Sequence, residues 1–459
     1  MGRSFVLLLW FCLVPRALPE TFRPEKADGY HGIWYSNQPT GDEYVYKYSG
    51  GLATYPQQHS PIAIYAPAAR KTFFCYGGSL PGRQELLLMV SYYDHVTRQV
   101  PRPRILLNRK TDDAHDNPVL GLDERGHVWV FANSHGTARR SYIFRSTAPY
   151  SIDEFERVWE GNFSYANPRW VSGEGFLFLH TRYERGGRSL YWMTSRDGLT
   201  WSEPQLLARV ELGHYQIVQQ TGRRVATAFN FHPAPFGLNA RTNLYYLETT
   251  DMGRTWKTVD GRPAPVPVTR PEHPALVHDY RSEGLLVYLK TLEFDRGGRP
   301  VILFLTSRGF EPGPKNDPRV WRIAHWTGDS WEIRELFTSD HNYDFGSLYI
   351  EDNRVWRIIA PTDPGPQPYC TGGEMVMWIS RDEGKTWQRA RSLTRNSSRN
   401  HTYARKPVNA QPDFYALWAD GDAKKFSDSA LYFTNREGTA VWRLPQRMSS
   451  EFAKPERVR

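Results

Sequence analysis

The chain has 459 residues, a formal net charge of +9 and an aromatic content of 14 %, with 36 glycines and 33 prolines. That composition speaks against long helices and coiled coils and for short strands joined by tight turns. No segment after residue 19 approaches the roughly 20 apolar residues of a membrane-spanning helix, and no nucleic-acid-binding motif occurs, so the positive balance fits acidic polysaccharides bearing uronate or sulfate, or a basic but inert surface.

Residues 1–19 have the pattern of an export signal: Arg3 precedes an apolar run from Phe5 to Val14, and cleavage is expected between Ala17 and Phe22. The mature protein is therefore expected to be secreted or periplasmic, free of the membrane once the signal is removed, and monomeric. Two cysteines, Cys75 and Cys370, remain after the signal; a disulfide and two free thiols both suit an exported protein. Strand-like runs occur at 61–65, 71–76, 86–90, 128–131, 141–144, 176–179, 285–289, 301–305, 355–359 and 415–418, punctuated by Gly, Asp, Asn and Pro. Residues 436–444 contain a last strand, expected to close the fold by pairing with the first strand after residue 28. Residues 446–459 are expected to form a charged, poorly ordered tail.

One turn motif occurs three times. It runs Thr194-Ser-Arg-Asp197-Gly-Leu-Thr-Trp201, Thr249-Thr-Asp251-Met-Gly-Arg-Thr-Trp256 and Ser380-Arg-Asp382-Glu-Gly-Lys-Thr-Trp387, each time after an aromatic-rich strand. Asp and Gly suit a tight turn, Thr bonds back to the backbone and Trp packs beneath, so these carboxylates are structural. The motif resembles the Asp-box of sialidase-like propellers, where it lies between the last two strands of a blade. Blades of roughly 40 to 50 residues, lengthened by loops to roughly 55 to 60, account for the whole chain as seven or eight units. The expected fold is all-β, a single β-propeller with Asp-box turns spanning residues 20–445, and the family resemblance set out below implies that it is seven-bladed.

The segment 111–153 carries the richest chemistry. His115, in Asp112-Asp-Ala-His115-Asp-Asn117-Pro, and His135, in Ser134-His135-Gly, sit at equivalent ends of two antiparallel strands joined by one turn. Both can point to one face. Other polar groups recur at comparable loop positions: Lys47, His59, Tyr165, Arg182, His214 and His232. A propeller gathers such loops around one central canyon. For metals, His341, Asp344 and Cys370 are candidate ligands for a structural zinc or calcium, but no tight Cys/His spacing is present.

These passages resemble the BNR-repeat proteins that include seven-bladed ulvan lyases, most closely polysaccharide lyase family twenty-five, over nearly the whole mature chain. The likeness is carried by Asp112-Asp-Ala-His115-Asp-Asn-Pro, Ser134-His135-Gly, Phe163-Ser-Tyr165, Thr181-Arg182-Tyr and Asn230-Phe-His232-Pro. It implies a secreted lyase that cleaves a uronate-containing, sulfated polysaccharide by β-elimination, with no cofactor required for catalysis. It also implies roles: Tyr165 and His115 as the acid–base pair, with Arg182, His135 and His232 around the uronate carboxylate. Lys47, His59, His214 and Asn117 are the further substrate-binding candidates. A guanidinium and an imidazolium near Tyr165 would lower its pKa from about 10, so either tyrosinate or neutral His115 could take the proton. A propeller cleaving rhamnose–glucuronate linkages by hydrolysis or elimination, and a non-catalytic carbohydrate-binding propeller, are the alternatives. An exo-sialidase is disfavoured because the chain lacks the Phe/Tyr-Arg-Ile-Pro element near its N-terminus.

Overall fold

A computed structural model describes residues 20–52, 58–184, 186–351 and 354–459. The expected export signal lies outside the described residues. Helical structure within them is confined to the 3-10 turns Ala114–Asp116, Gly237–Ala240 and Pro314–Asn316, and no helix is long and apolar enough to cross a membrane. The rest is antiparallel sheet in repeated up-and-down units. Ser164–Val171, Gly175–Glu184, Gly187–Ser195 and Gln205–Ala208 form one four-stranded sheet, and Gln216–Thr221, Arg224–Phe231, Thr242–Thr249 and Leu276–His278 the next.

Each unit opens on a strand that is largely buried. These opening strands are Ala63–Ala66, Pro118–Leu122, Ser164–Val171, Gln216–Thr221, Leu286–Phe294, Ser347–Ile350 and Asn400–Arg405. From Ala63–Ala66 to Ser347–Ile350 each opening strand packs on the next, and Ser347 Oγ donates to Ala404 O to join the sixth to the seventh. The last unit returns to the first through Val408, whose N–H donates to Ala63 O and whose carbonyl accepts from Tyr65 N. Most polar and small residues on these strands are buried, so many of their side chains meet inside the molecule. That is how loops far apart in sequence come to share a site.

The three Asp turns are tied by their carboxylates, and in two of them the Thr hydroxyl donates to Asp rather than back to the backbone. Asp251 Oδ1 accepts from Thr255 N at 2.9 Å and its Oδ2 from Thr255 Oγ1 at 2.6 Å, and Asp382 repeats both bonds with Thr386. Asp197 Oδ1 takes Leu199 N and Thr200 N, each at 2.8 Å. Each turn begins at the end of the third strand of its unit. Gly198 and Gly253 have φ of +74° and +80°, and a Cβ there would come within 2.2 Å of Trp129 and 2.4 Å of Trp192 respectively. Those tryptophans belong to the preceding unit in each case. The turn thus fixes the packing between units, which explains why glycine stands there.

Two expectations about the chain ends are corrected. Strand Gly32–Pro39 pairs with Ser427–Ser429 rather than with the strand inside 436–444, although Tyr30 N does donate to Pro445 O. Residues 446–459 are not loose: Phe452–Ala453 pairs with Val100–Pro101 and Glu456–Arg457 with Trp442–Arg443. Lys26–Glu451 and Arg443–Glu456 ion pairs at 2.8 and 2.6 Å flank these contacts. The charges that make this tail look solvated are the ones that dock it. Cys75 and Cys370 are both buried free thiols.

Candidate active site

Pro118 pairs with Ala132, so the segments just outside this pair, 113–117 and 133–135, emerge side by side at one end of the hairpin. His115 and His135 stack there, ring centroids 4.1 Å apart and planes 19° from parallel. Asp113 organises both. Its Oδ1 accepts from His115 N at 3.0 Å and lies 2.6 Å from His115 Nδ1, and its Oδ2 lies 2.6 Å from His135 Nδ1. A carboxylate can only accept, so both imidazoles carry their proton on Nδ1 and present Nε2 as the basic nitrogen. Behind them, Asp116 accepts from His135 N at 2.6 Å and from Arg109 and Arg139.

The electrostatics of this group come from its burial. Desolvation, then the neighbouring His135, push His115 down to about 4 against the pull of Asp113. Burial would raise Asp113, but its bonds and attraction to the two imidazoles outweigh that and hold it well below the usual carboxylate range. Asp113, His115 and His135 also bring three potential ligand atoms within 4.8 Å of one another. An imidazole binds a metal in its own ring plane. Two rings stacked nearly parallel cannot both aim Nδ1 at one ion, so this geometry fits a shared carboxylate rather than a metal. The other metal candidates have these partners: His341 Nδ1 accepts from Tyr343 N at 3.1 Å, Asp344 accepts from His341 N at 2.9 Å and from Gly372 N at 2.8 Å, and Cys370 Sγ faces Tyr44 O.

Tyr165 joins the histidines from the next unit. Its φ is +50°, and strand pairing slips between Ser164 and Asn167. A left-handed conformation costs a bulky residue about 1–3 kcal/mol and has to be imposed by its surroundings. Ser164 Oγ donates to Ser134 O, Ala166 N to Asn133 Oδ1 at 2.9 Å, and Asn167 Nδ2 to Gln58 O at 3.0 Å. The ring is turned out so that its centroid lies 6.1 Å from His115 and 5.0 Å from His59. The Tyr165 hydroxyl is 3.3 Å from Tyr183 Oη and accepts from Arg188 Nη1 at 3.2 Å. The expected lowering of the phenol does not occur. Burial, reinforced by the adjacent phenols Tyr183 and Tyr215, outweighs Arg188 and raises Tyr165 well above its ordinary value.

The guanidinium at this site is not the expected one. Arg182 lies over the Tyr191 ring at 5.5 Å. Neighbours along a strand face opposite sides and cross-strand partners share a side. Tyr183 pairs with Arg188, and Arg182 with Ser189. Tyr183 and Arg188 therefore turn to the histidines together, and Arg182 turns away. The signal for Arg188 is the glycine pair Gly186-Gly187, where the chain reverses; Glu184 pairs with Gly187, and that register sets Arg188 opposite Tyr183. Arg188 Nη1 also donates to Tyr215 Oη at 2.9 Å, and a second guanidinium, Arg241, lies 4.9 Å from the same Tyr215 ring.

The remaining candidates divide. His59 is buried behind Tyr165, with Nε2 3.2 Å from His115 O. His232 packs on Tyr215 at 4.8 Å, its buried Nε2 lacking a partner among the described residues. Lys47 donates to Gln38 and Asn239, and burial, aided by the repulsion of Arg241, brings its ammonium down to about 6. These three belong to the same mouth or its wall. His214 and Asn117 do not. His214 Nε2 accepts from Val210 N and its Nδ1 faces Asn230 O, both at 2.8 Å, so both ring nitrogens are spent inside the loop. Asn117 is fully buried, and its carbonyl accepts from Asn133 Nδ2 at 2.6 Å. It staples the two histidine segments from below.

Residues 89–339 match the model of the BNR repeat-containing family. The chain belongs to this family. It is 21 % identical over 372 residues to an ulvan lyase of Alteromonas sp. (strain LOR), covering 72 % of this chain and 73 % of that protein. It is 21 % identical over 436 residues to an ulvan lyase of Nonlabens ulvanivorans, covering 84 % and 87 %. Among solved structures, a PL25 ulvan lyase superposes with a TM-score of 0.69 at 16 % identity, over 90 % of this chain and 96 % of that one. Another polysaccharide lyase superposes with a TM-score of 0.62 at 10 % identity, over 90 % and 100 %. At these identities the two superpositions establish a shared all-β fold.

Proposed function

We propose that this BNR-repeat chain is a seven-bladed β-propeller with Asp-box turns, exported from the cell, that cleaves a uronate-containing, sulfated polysaccharide of the ulvan type by β-elimination. The observation that carries this reading is one mouth holding a neutral imidazole (His115), a protonated phenol (Tyr165) and a guanidinium (Arg188). The seven buried opening strands and the return of Val408 onto the first unit support the blade count. The related ulvan lyases and the PL25 structure containing -[GlcA(1-4)Rha3S]- support the substrate class.

Elimination needs a base, an acid and charge stabilisation. Arg188, with His135 and His232 nearby, holds the uronate carboxylate and stabilises the enediolate that forms as the α-proton leaves. His115 Nε2 takes that proton from C5; with its pKa near 4 it is in the basic form at neutral pH. The C4–O bond breaks as the C4–C5 double bond forms, and the departing oxygen takes the Tyr165 hydroxyl proton. The high pKa of Tyr165 suits an acid that is protonated before the reaction. Proton transfer from His115 back to the tyrosinate resets both groups.

Hydrolysis would need two opposed carboxylates or a tyrosine nucleophile with an arginine triad. The carboxylates beside His115, Asp113 and Asp116, are both saturated by histidine and arginine donors. Incubation with ulvan discriminates. Elimination gives ultraviolet absorbance from the unsaturated uronate in step with new chain ends. New reducing ends without absorbance would mean hydrolysis, and neither signal would remove ulvan as the substrate.

A further inference from the structure

The strands that carry the catalytic mouth at their beginnings enclose a second polar cavity toward their ends. Its volume is about 260 Å³, and its lining includes Arg169, Arg405 and Lys406 against one carboxylate, Glu293; Lys290 also lines it, but its Nζ donates to Asn342 O at 3.0 Å and burial holds it well below its ordinary pKa. Tyr165 and Arg169 share the strand Ser164–Val171. Four residues at roughly 3.3 Å each place the cavity about 13 Å from the acid. No step of the proposed reaction uses it.

Its charges are poorly balanced. Glu293 is matched by Lys406 at 2.8 Å. Arg169, only 6 % exposed, donates through Nη1 to Ser60 O and Pro168 O at 2.9 and 2.8 Å. Its Nη2 donates to Ser60 Oγ and Val218 O at 2.7 and 2.5 Å. These neutral acceptors satisfy geometry but not charge, and Arg169 Nε is buried with no partner among the described residues. Arg405, equally buried, donates to His59 O at 2.8 Å. Burial pushes both guanidiniums down to about 9, and Arg169 adds to the fall of Arg405. They stay charged at neutral pH in a place that disfavours charge.

We propose that this cavity is a binding site for a small oxyanion, a sulfate, phosphate or carboxylate, held by Arg169 and Arg405 at the end of the opening strands opposite the catalytic mouth. Arg169 keeps only its Nε–H to donate, so it contributes chiefly charge while the Arg405 guanidinium offers N–H donors to an oxyanion, and Ser60, Ser347 and Asn409 on the same wall add polar partners. Arg169 and Arg405 also bond the carbonyls of Ser60 and His59, and the His59 ring backs Tyr165. An anion here would brace the floor beneath the acid.

The test is calorimetric titration and thermal unfolding of the full chain with sodium sulfate, phosphate or acetate, against sodium chloride at matched ionic strength. The expected result is saturable binding of at least one oxyanion, with a rise in Tm beyond that in chloride. Binding should persist in Arg188→Ala, which removes a catalytic-mouth cation. It should weaken tenfold or more in Arg405→Gln and in Asn409→Asp, the latter an exposed, isosteric change that sets a fixed negative charge on the wall. Asn409→Asp keeps the test open should Arg405→Gln not fold. No oxyanion effect beyond chloride, binding lost in Arg188→Ala, or binding unchanged in Asn409→Asp would overturn the proposal. The readout is binding, so it stands or falls apart from the lyase reaction.

Discussion

At the scale of single residues, the chemistry turns on which side chains share a face. Arg188 and Arg182 sit on one hairpin, yet only Arg188 reaches the Tyr165 hydroxyl. Arg188→Ala is expected to lower kcat/KM by about 10²- to 10³-fold, the cost of removing a donor aimed at developing charge. Arg182→Ala should stay within a few-fold of wild type; equal losses in the two would show that both guanidiniums serve the reaction. The pH profile is a second residue-scale test. His115 is held near 4 rather than near 6.5, so its basic form persists as pH falls and is lost only through about pH 4. The acid limb of kcat/KM should therefore lie well below 6. A limb centred near 6.5 would mean that the base is a solvated histidine and not buried His115.

At the scale of elements, legibility from sequence tracked the range of the forces. The Asp turns were readable because every partner lies within a few residues: Asp251 bonds Thr255, and Asp382 bonds Thr386. The histidine pair was readable because a hairpin returns the chain to the same end. Arg188 was not, because a one-residue difference in a strand reverses the face. Nor were the places of His214 and Asn117, since His214 Nδ1 faces Asn230 O and the backbone carbonyl of Asn117 accepts from Asn133, both partners from a second segment. Gly253→Ala tests the turns directly. A Cβ at positive φ that also meets Trp192 at 2.4 Å should cost about 2 kcal/mol or more, read from denaturant midpoints, with kcat unchanged in the folded fraction. A neutral substitution would show that the turn does not fix the packing between units.

At the scale of the whole molecule, the fold is held at both ends by strands added to its edges. Thr21–Phe22 and Glu25–Lys26 join the outer strands Phe155–Gly161 and Arg104–Asn108, and Phe452–Ala453 and Glu456–Arg457 join theirs from the other terminus. This docking was invisible in a segment dominated by charge, because the partners are remote in sequence. Deleting residues 446–459 should lower Tm by several degrees, since the edge of the last unit and the strand at Val100–Pro101 lose their pairing. An unchanged Tm would mean that the tail contributes no stability.

The site lies where opening strands from several units converge, and the proposed chemistry rests on His115, Tyr165 and Arg188 acting there as base, acid and carboxylate partner. The decisive experiment is the initial rate of ultraviolet absorbance on ulvan for wild type, His115→Ala, Tyr165→Phe and Arg188→Ala, with folding of each variant confirmed by thermal unfolding. A steady rise is expected for wild type, with near-complete loss in all three folded variants. A rise that survives in folded His115→Ala or Tyr165→Phe would refute the assigned base or acid.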